Sequence, residues 1–167
     1  MSSPRCDFLD HARLSHAPAS RILAIDILFE IALNYSRVFS LDFDAPRLLA
    51  VLGPSCTATL FPGQPVPVTG PLERRAEPLD QERARLLREL MYFGPGKWPD
   101  PPLNYIEKVA LFDARGDAVL SASDGADSVL FLLPRQGRDD LLTRYRASGI
   151  PADTIQPVDV DINEAAR

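Results

Sequence analysis

A chain of 167 residues carrying a net charge of −5 can stabilise itself by burial alone, since a domain of this size removes roughly 70% of its extended-chain surface from water. The acidic balance argues against a nucleic-acid partner, whose phosphates are held by clustered basic side chains. The longest apolar run, Ile22 to Leu33, is broken by Asp26 and Glu30 and falls short of the about 20 apolar residues a membrane span requires.

Residues 1–19 are polar and aperiodic, with no apolar segment of the kind a secretory signal needs, and read as a flexible tail. Cys6 and Cys56 are the only cysteines, too few for a disulfide framework, so a reducing cytoplasm is the expected setting. The globular part is expected over 20–156. It opens at Ser20, a plausible N-cap, with RILAIDILFEIALNYSRV. Asp26, Glu30, Asn34 and Arg37 recur at spacings of four, four and three, one narrow stripe on a helix that is apolar elsewhere.

FSLDF alternates Phe39, Leu41 and Phe43 with Ser40 and Asp42, the period of a half-buried strand. DAPRLLAVLGP predicts a short helix capped by Asp44 and stopped at Gly53 and Pro54. CTATLF, residues 56–61, then predicts a strand by its alternation. PGQPVPVTGP holds four prolines in ten residues and suits only a sheet edge or an ordered loop, because proline donates nothing to a ladder.

LDQERARLLRELMYFG predicts an amphipathic helix capped by Asp80, with Leu86, Leu87, Leu90 and Met91 inward and Gly94 and Pro95 at its end. YIEKVALFD, DAVLSAS and SVLFLLP predict a three-strand meander, joined by ARGD and by the Asp-Gly turn SDGAD. The unbroken apolar run Leu130–Leu133 suits a strand covered on both faces. GRDDLLTRYRASGIP predicts a last helix with Leu141, Leu142 and Tyr145 inward. Residues 157–167 form an acidic end, where Val158, Val160 and Ile162 alternate with Asp159 and Asp161 and could add one short edge strand. The expected fold class is α+β, a single domain with a mostly antiparallel, mixed-order sheet packed by three to four helices.

Candidate chemistry is sparse. His11 and His16 lie in the tail with Cys6, Asp7 and Asp10, and their spacing matches no paired-ligand zinc pattern. No metal or other cofactor is expected. Ser55 and Cys56 follow a helix stop with no histidine outside the tail to activate them, and the order of elements is the reverse of a nucleophile elbow. The glycines are scattered singly, without the spacing of a phosphate loop or a dinucleotide fold. One carboxylate pair remains, Asp26 and Glu30. It reads first as the solvent side of its helix with Arg37 as partner; buried and unpaired, the same two groups would be catalytic candidates in a small enzyme or ligand-binding domain.

Two surface features suit recognition instead. Residues 91–105, MYFGPGKWPDPPLNY, hold the only tryptophan and four of the sixteen prolines. A proline-stiffened loop loses little entropy on docking, and Tyr92, Trp98 and Tyr105, with Lys97 at the rim, are residue types that anchor interfaces. The competing reading folds Trp98 back as a lid over the core, where large aromatics mostly reside. Asp113, Asp117, Asp124 and Asp127 lie in the two hairpin turns, with Asp139, Asp140, Asp159 and Asp161 following. Turns favour Asp for local backbone bonds; gathered on one rim, the same residues would attract a basic partner. The functional expectation is an acidic protein-binding module of the inhibitor, immunity-protein or adaptor kind, with no nucleic acid, no membrane and an open oligomeric state.

Overall fold

The computed structural model describes residues 12–14, 21–63, 72–91, 105–123, 128–158 and 160–167. In chain order the elements are β1 (Ala12–Leu14), α1 (Arg21–Asn34), β2 (Val38–Phe43), α2 (Ala45–Leu60), β3 (Glu73–Pro78), α3 (Gln81–Leu90), β4 (Ile106–Phe112), β5 (Ala118–Ser123), β6 (Ser128–Phe131), α4 (Arg135–Ala147), β7 (Ile155–Pro157) and α5 (Ile162–Ala166). The strands make one sheet in the order β3-β2-β4-β5-β6-β1-β7, antiparallel at every pairing. The α+β class and the β4–β5–β6 meander are as the sequence predicts.

The inner face of the sheet carries Phe39, Leu41, Phe43, Val109, Leu111, Val119 and Phe131, packed with buried residues of α1, α2, α3 and α4 in one core. Phe61 stacks on Phe43 with ring centroids 5.1 Å apart. Tyr145 crosses from α4 and donates its hydroxyl to the Ala24 carbonyl of α1 at 2.7 Å; burial pushes its phenol pKa well up. On the outer face, α5 lays Ile162 and Ala166 over Ala110, Ala118 and Leu130. Asn163 accepts from the Ala118 N–H, and Lys108 donates to the Arg167 carbonyl, so α5 is pinned along β4 and β5. This second layer buries Leu130 from the outer side while Phe131 is buried in the main core, the both-faces covering expected of the Leu130–Leu133 run, although β6 itself ends at Phe131.

Several local expectations fail, each for an identifiable reason. Of the stretch 56–61, residues 56–60 are helical rather than extended: Gly53, at φ 79° and ψ 166°, ends the first half of α2, and Pro54 restarts it. Proline is suited to a helix start, and Thr57 and Thr59 bond back to the carbonyls of Gly53 and Ser55 instead of feeding a ladder. β3 is a strand that no apolar alternation announces. Residues 12–14 enter the sheet between β6 and β7, although they lie in the stretch expected to be a tail. The edge strand expected after 157 is Ile155–Pro157 instead, and Asp161 caps a helix by accepting from the Asn163 N–H. That makes α5, not α4, the last helix. Ser20, most of the proline-rich stretch (64–71), the SDGAD turn (124–127) and Asp159 lie outside the described residues.

Candidate functional site

The carboxylate stripe of α1 is partly solvated, with Asn34 and Arg37 exposed, and its two acids are paired rather than lone. α1 sits between α3 and α4, and each neighbour sends one arginine toward it. Glu30 accepts from Arg88 of α3 at 2.9 Å and from Arg144 of α4 at 2.6 Å, while Asp26 lies 3.9 Å from Arg88. The Glu30 hydrogen bond holds the Arg144 pKa above the usual guanidinium value. Arg37, the expected partner, instead turns to the Ser36 carbonyl. Two acids and two bases thus make a charge-balanced clasp across three helices, each group about one-quarter to two-fifths exposed. Both guanidinium groups meet the same carboxylate oxygen of Glu30, Oε2. Neither of two surface hollows touches the stripe. One, about 330 Å³, is lined by Leu49, Pro54, Thr57 and Phe61 near the end of α2. The other is a shallow dip at the start of α3.

Of the aromatic-loop residues, Tyr92, Lys97 and Trp98 lie outside the described residues. Tyr105 is described and corrects its expected role: it is 2% exposed and belongs to the core. Its carbonyl accepts from the Asp44 N–H. A side chain in the core cannot anchor a partner.

Among the acidic turn residues, Asp113 realises the local alternative. Its carboxylate accepts from the N–H groups of Arg115 and Asp117, closing the β4–β5 turn as Asx turns do. Asp117 is half-exposed in the same turn. The Asn163 bond to Ala118 brings the exposed Asp161 of the α5 cap to this end of the sheet. Arg115 and Arg37 stand nearby, the latter through the bond of its N–H to the Phe112 carbonyl. Asp124 and Asp127 lie outside the described residues, as do His11, His16, Cys6, Asp7 and Asp10. Among the described residues no three or more His, Cys, Asp or Glu come close enough to hold a metal ion. Nor is any helix long and apolar enough to cross a membrane. Ser55 and Cys56 stand on the second half of α2.

Sequence reasoning missed one surface entirely. α5 covers β4, β5 and β6 on the outer face, and among the described residues no helix covers β2 and β3 there. The register sets Pro78, Val38 and Phe112 in one row across three strands, Ala76, Ser40 and Ala110 in the next, and Arg74, Asp42 and Lys108 in the third. Pro78 and Ala76 are exposed, and Val38, Ser40 and Phe112 half-exposed. Arg74 grips Asp42 with two bonds of 2.8 and 2.7 Å, which raises the Arg74 pKa. The face is therefore apolar at one end, small in the middle and ionic at the other. Phe112 directly precedes Asp113, so the apolar row abuts the acidic turn. Only the pairing of ERRAEP with β2 creates this face, and ERRAEP carries no strand signal of its own.

No protein-family model matches the sequence, no curated protein matches it, and no solved structure matches the fold.

Proposed function

We propose that the protein is a binding module that recognises another protein through the bare β2–β3 half of its sheet, by shape and charge rather than by chemistry. One observation carries the reading: the apolar row Pro78–Val38–Phe112, which no described helix covers at β2 and β3 and whose Phe112 end meets the α5 layer, borders the turn that holds Asp113 and Asp117. A central apolar strip with a charged rim is the usual anatomy of an interface. The net charge of −5 and the acidic turn favour a basic partner, drawn in by long-range attraction and held by contact with the row. A cytoplasmic inhibitor, immunity protein or adaptor is the class of role that fits. The Glu30 clasp supports the same reading, because it occupies the best carboxylate pair in structural work.

Affinity capture with four immobilised proteins tests this. The wild type should retain a basic protein that Val38→Glu loses, since a charge then sits in the strip. Asp117→Lys should weaken retention, and more so at low salt, where the rim field reaches furthest. Arg146→Glu, on the exposed side of α4, should change nothing. Circular dichroism checks that each variant is folded. Equal retention by all folded variants would overturn the proposal.

A further inference from the structure

The bare face ends at β3, and the edge of that strand carries a second inference, independent of what the face binds. The Leu79 N–H donates toward β2, to the Arg37 carbonyl, and the Asp44 N–H donates away from β3, to the Tyr105 carbonyl of the β4 side. Backbone groups in a strand alternate in direction, so Phe39, Leu41 and Phe43 of β2 bond to Glu77, Arg75 and Glu73 of β3, in phase with the Leu79 N–H to Arg37 carbonyl bond beside them. The backbone groups of Arg74, Ala76 and Pro78 then point out of the sheet. Pro78 fits this phase, since its missing N–H is one the outer edge does not need. Among the described residues no strand pairs with that edge.

We infer that a second copy of this chain docks there, antiparallel, with Ala76 on the two-fold axis. Outward-facing residues must meet outward-facing residues, which leaves two central registers. In one, Arg75 faces Arg75 and Glu73 faces Glu77, like against like at every charged pair. In the other, Ala76 faces Ala76, Arg74 faces Pro78, and Arg75 of each copy faces Glu77 of its mate. Opposite charges across strands stabilise a pairing and like charges oppose it, so the second register is selected. It supplies four backbone hydrogen bonds: two between the Ala76 residues and two from the Arg74 N–H to the Pro78 carbonyl. That carbonyl already accepts from Arg83 at 3.0 Å, and its second lone pair serves the new donor.

Glu77 supports the choice. It is half-buried, and among the described residues it has no ion-pair partner, whereas Arg75 sits two residues away beside Glu73 and over the Phe61 ring. Across the two-fold axis each Glu77 gains an arginine. Charged edges usually repel pairing; here the charge order is self-complementary in one register only.

Sedimentation velocity on the full chain over a concentration series tests the inference. The wild type should show a reversible monomer–dimer equilibrium. Ala76→Pro removes an N–H that faces outward, so the monomer should fold as before while dimer affinity falls at least about tenfold, the loss of roughly 1.4 kcal/mol of association energy. Glu77→Arg should weaken the dimer, and Glu77→Arg combined with Arg75→Glu should restore it, because the swap recreates the same cross-strand pairs. If Ala76→Pro does not fold, the charge swap alone decides. A chain that stays monomeric at every concentration, a dimer indifferent to Ala76→Pro, or a double variant no tighter than Glu77→Arg alone would each overturn it. Loss of partner capture by Val38→Glu with the dimer intact would separate this edge from the face beside it.

Discussion

Replacing Glu30 by Gln separates a structural clasp from a reactive carboxylate. The side chain keeps its size and one acceptor oxygen but loses the charge that Arg88 and Arg144 share. Glu30 is 31% exposed, Arg144 36% and Arg88 43%, so solvent screens both pairs. Each is then worth about 0.2–1 kcal/mol rather than the larger figures of a dry interior. With two pairs on one acid and part of the hydrogen bonding retained, the variant should lose about 1 kcal/mol. In a chain this long, that corresponds to a fall in Tm of roughly 2–4 °C. Urea unfolding gives the free energy directly, with an unchanged slope showing that the unfolded state is the same. In 1 M NaCl the Debye length shrinks to about 3 Å, so the gap between the two proteins should narrow. A Glu30→Gln protein as stable as the wild type or more so at low salt would refute the clasp. It would return Glu30 to the list of residues kept for chemistry at a cost in stability.

Two other substitutions probe the frame around the bare face. Tyr145→Phe should cost about 1 kcal/mol for the bond to the Ala24 carbonyl, and it should also flatten the alkaline limb of the stability curve. The phenol is held above its ordinary value in the fold, so its contribution is complete below a pH of about 10 and declines as pH rises beyond that; denaturant midpoints measured for both proteins between neutral pH and 11 should converge, and parallel curves would contradict the burial argument. Gly53→Ala places a β-carbon where no heavy atom lies within 4 Å, yet at φ 79° and ψ 166° the backbone strain alone should cost about 1–3 kcal/mol. An unchanged melting temperature would mean the break in α2 is not obligatory.

What the sequence discloses depends on how local each determinant is. α3 carries its own punctuation: the Asp80 carboxylate accepts from the Arg83 N–H at 2.8 Å, and Leu86, Leu87 and Leu90 repeat on the buried side. The β4–β5 hairpin is likewise set by neighbours, through Asp113 and the positive φ of Gly116. β3 is the opposite case. Glu73, Arg74 and Arg75 have no preference for a strand, and they form one because β2 offers an unpaired edge six residues long. The second half of α2 was hidden because its threonines favour strands in general, while Pro54 and their own back-bonding hydroxyls favour a helix there. At the carboxylate stripe, the spacing of Asp26 and Glu30 was plain, but their partners are 58 and 114 residues from Glu30, at Arg88 and Arg144. Tyr105 follows the same logic: only the arrival of the end of β2 beside it turns the last aromatic of the 91–105 stretch into part of the core.

The proposed recognition lies on the β2–β3 half of the sheet face, which no described helix covers. Hydrogen exchange of the protein alone and bound to a captured basic partner locates the contact without any substitution. Slowed exchange should concentrate in 37–40, 76–79 and 112–117, where the apolar row and the acidic turn meet, with α4 unchanged. Protection confined to α4 or to the α1 stripe would contradict it.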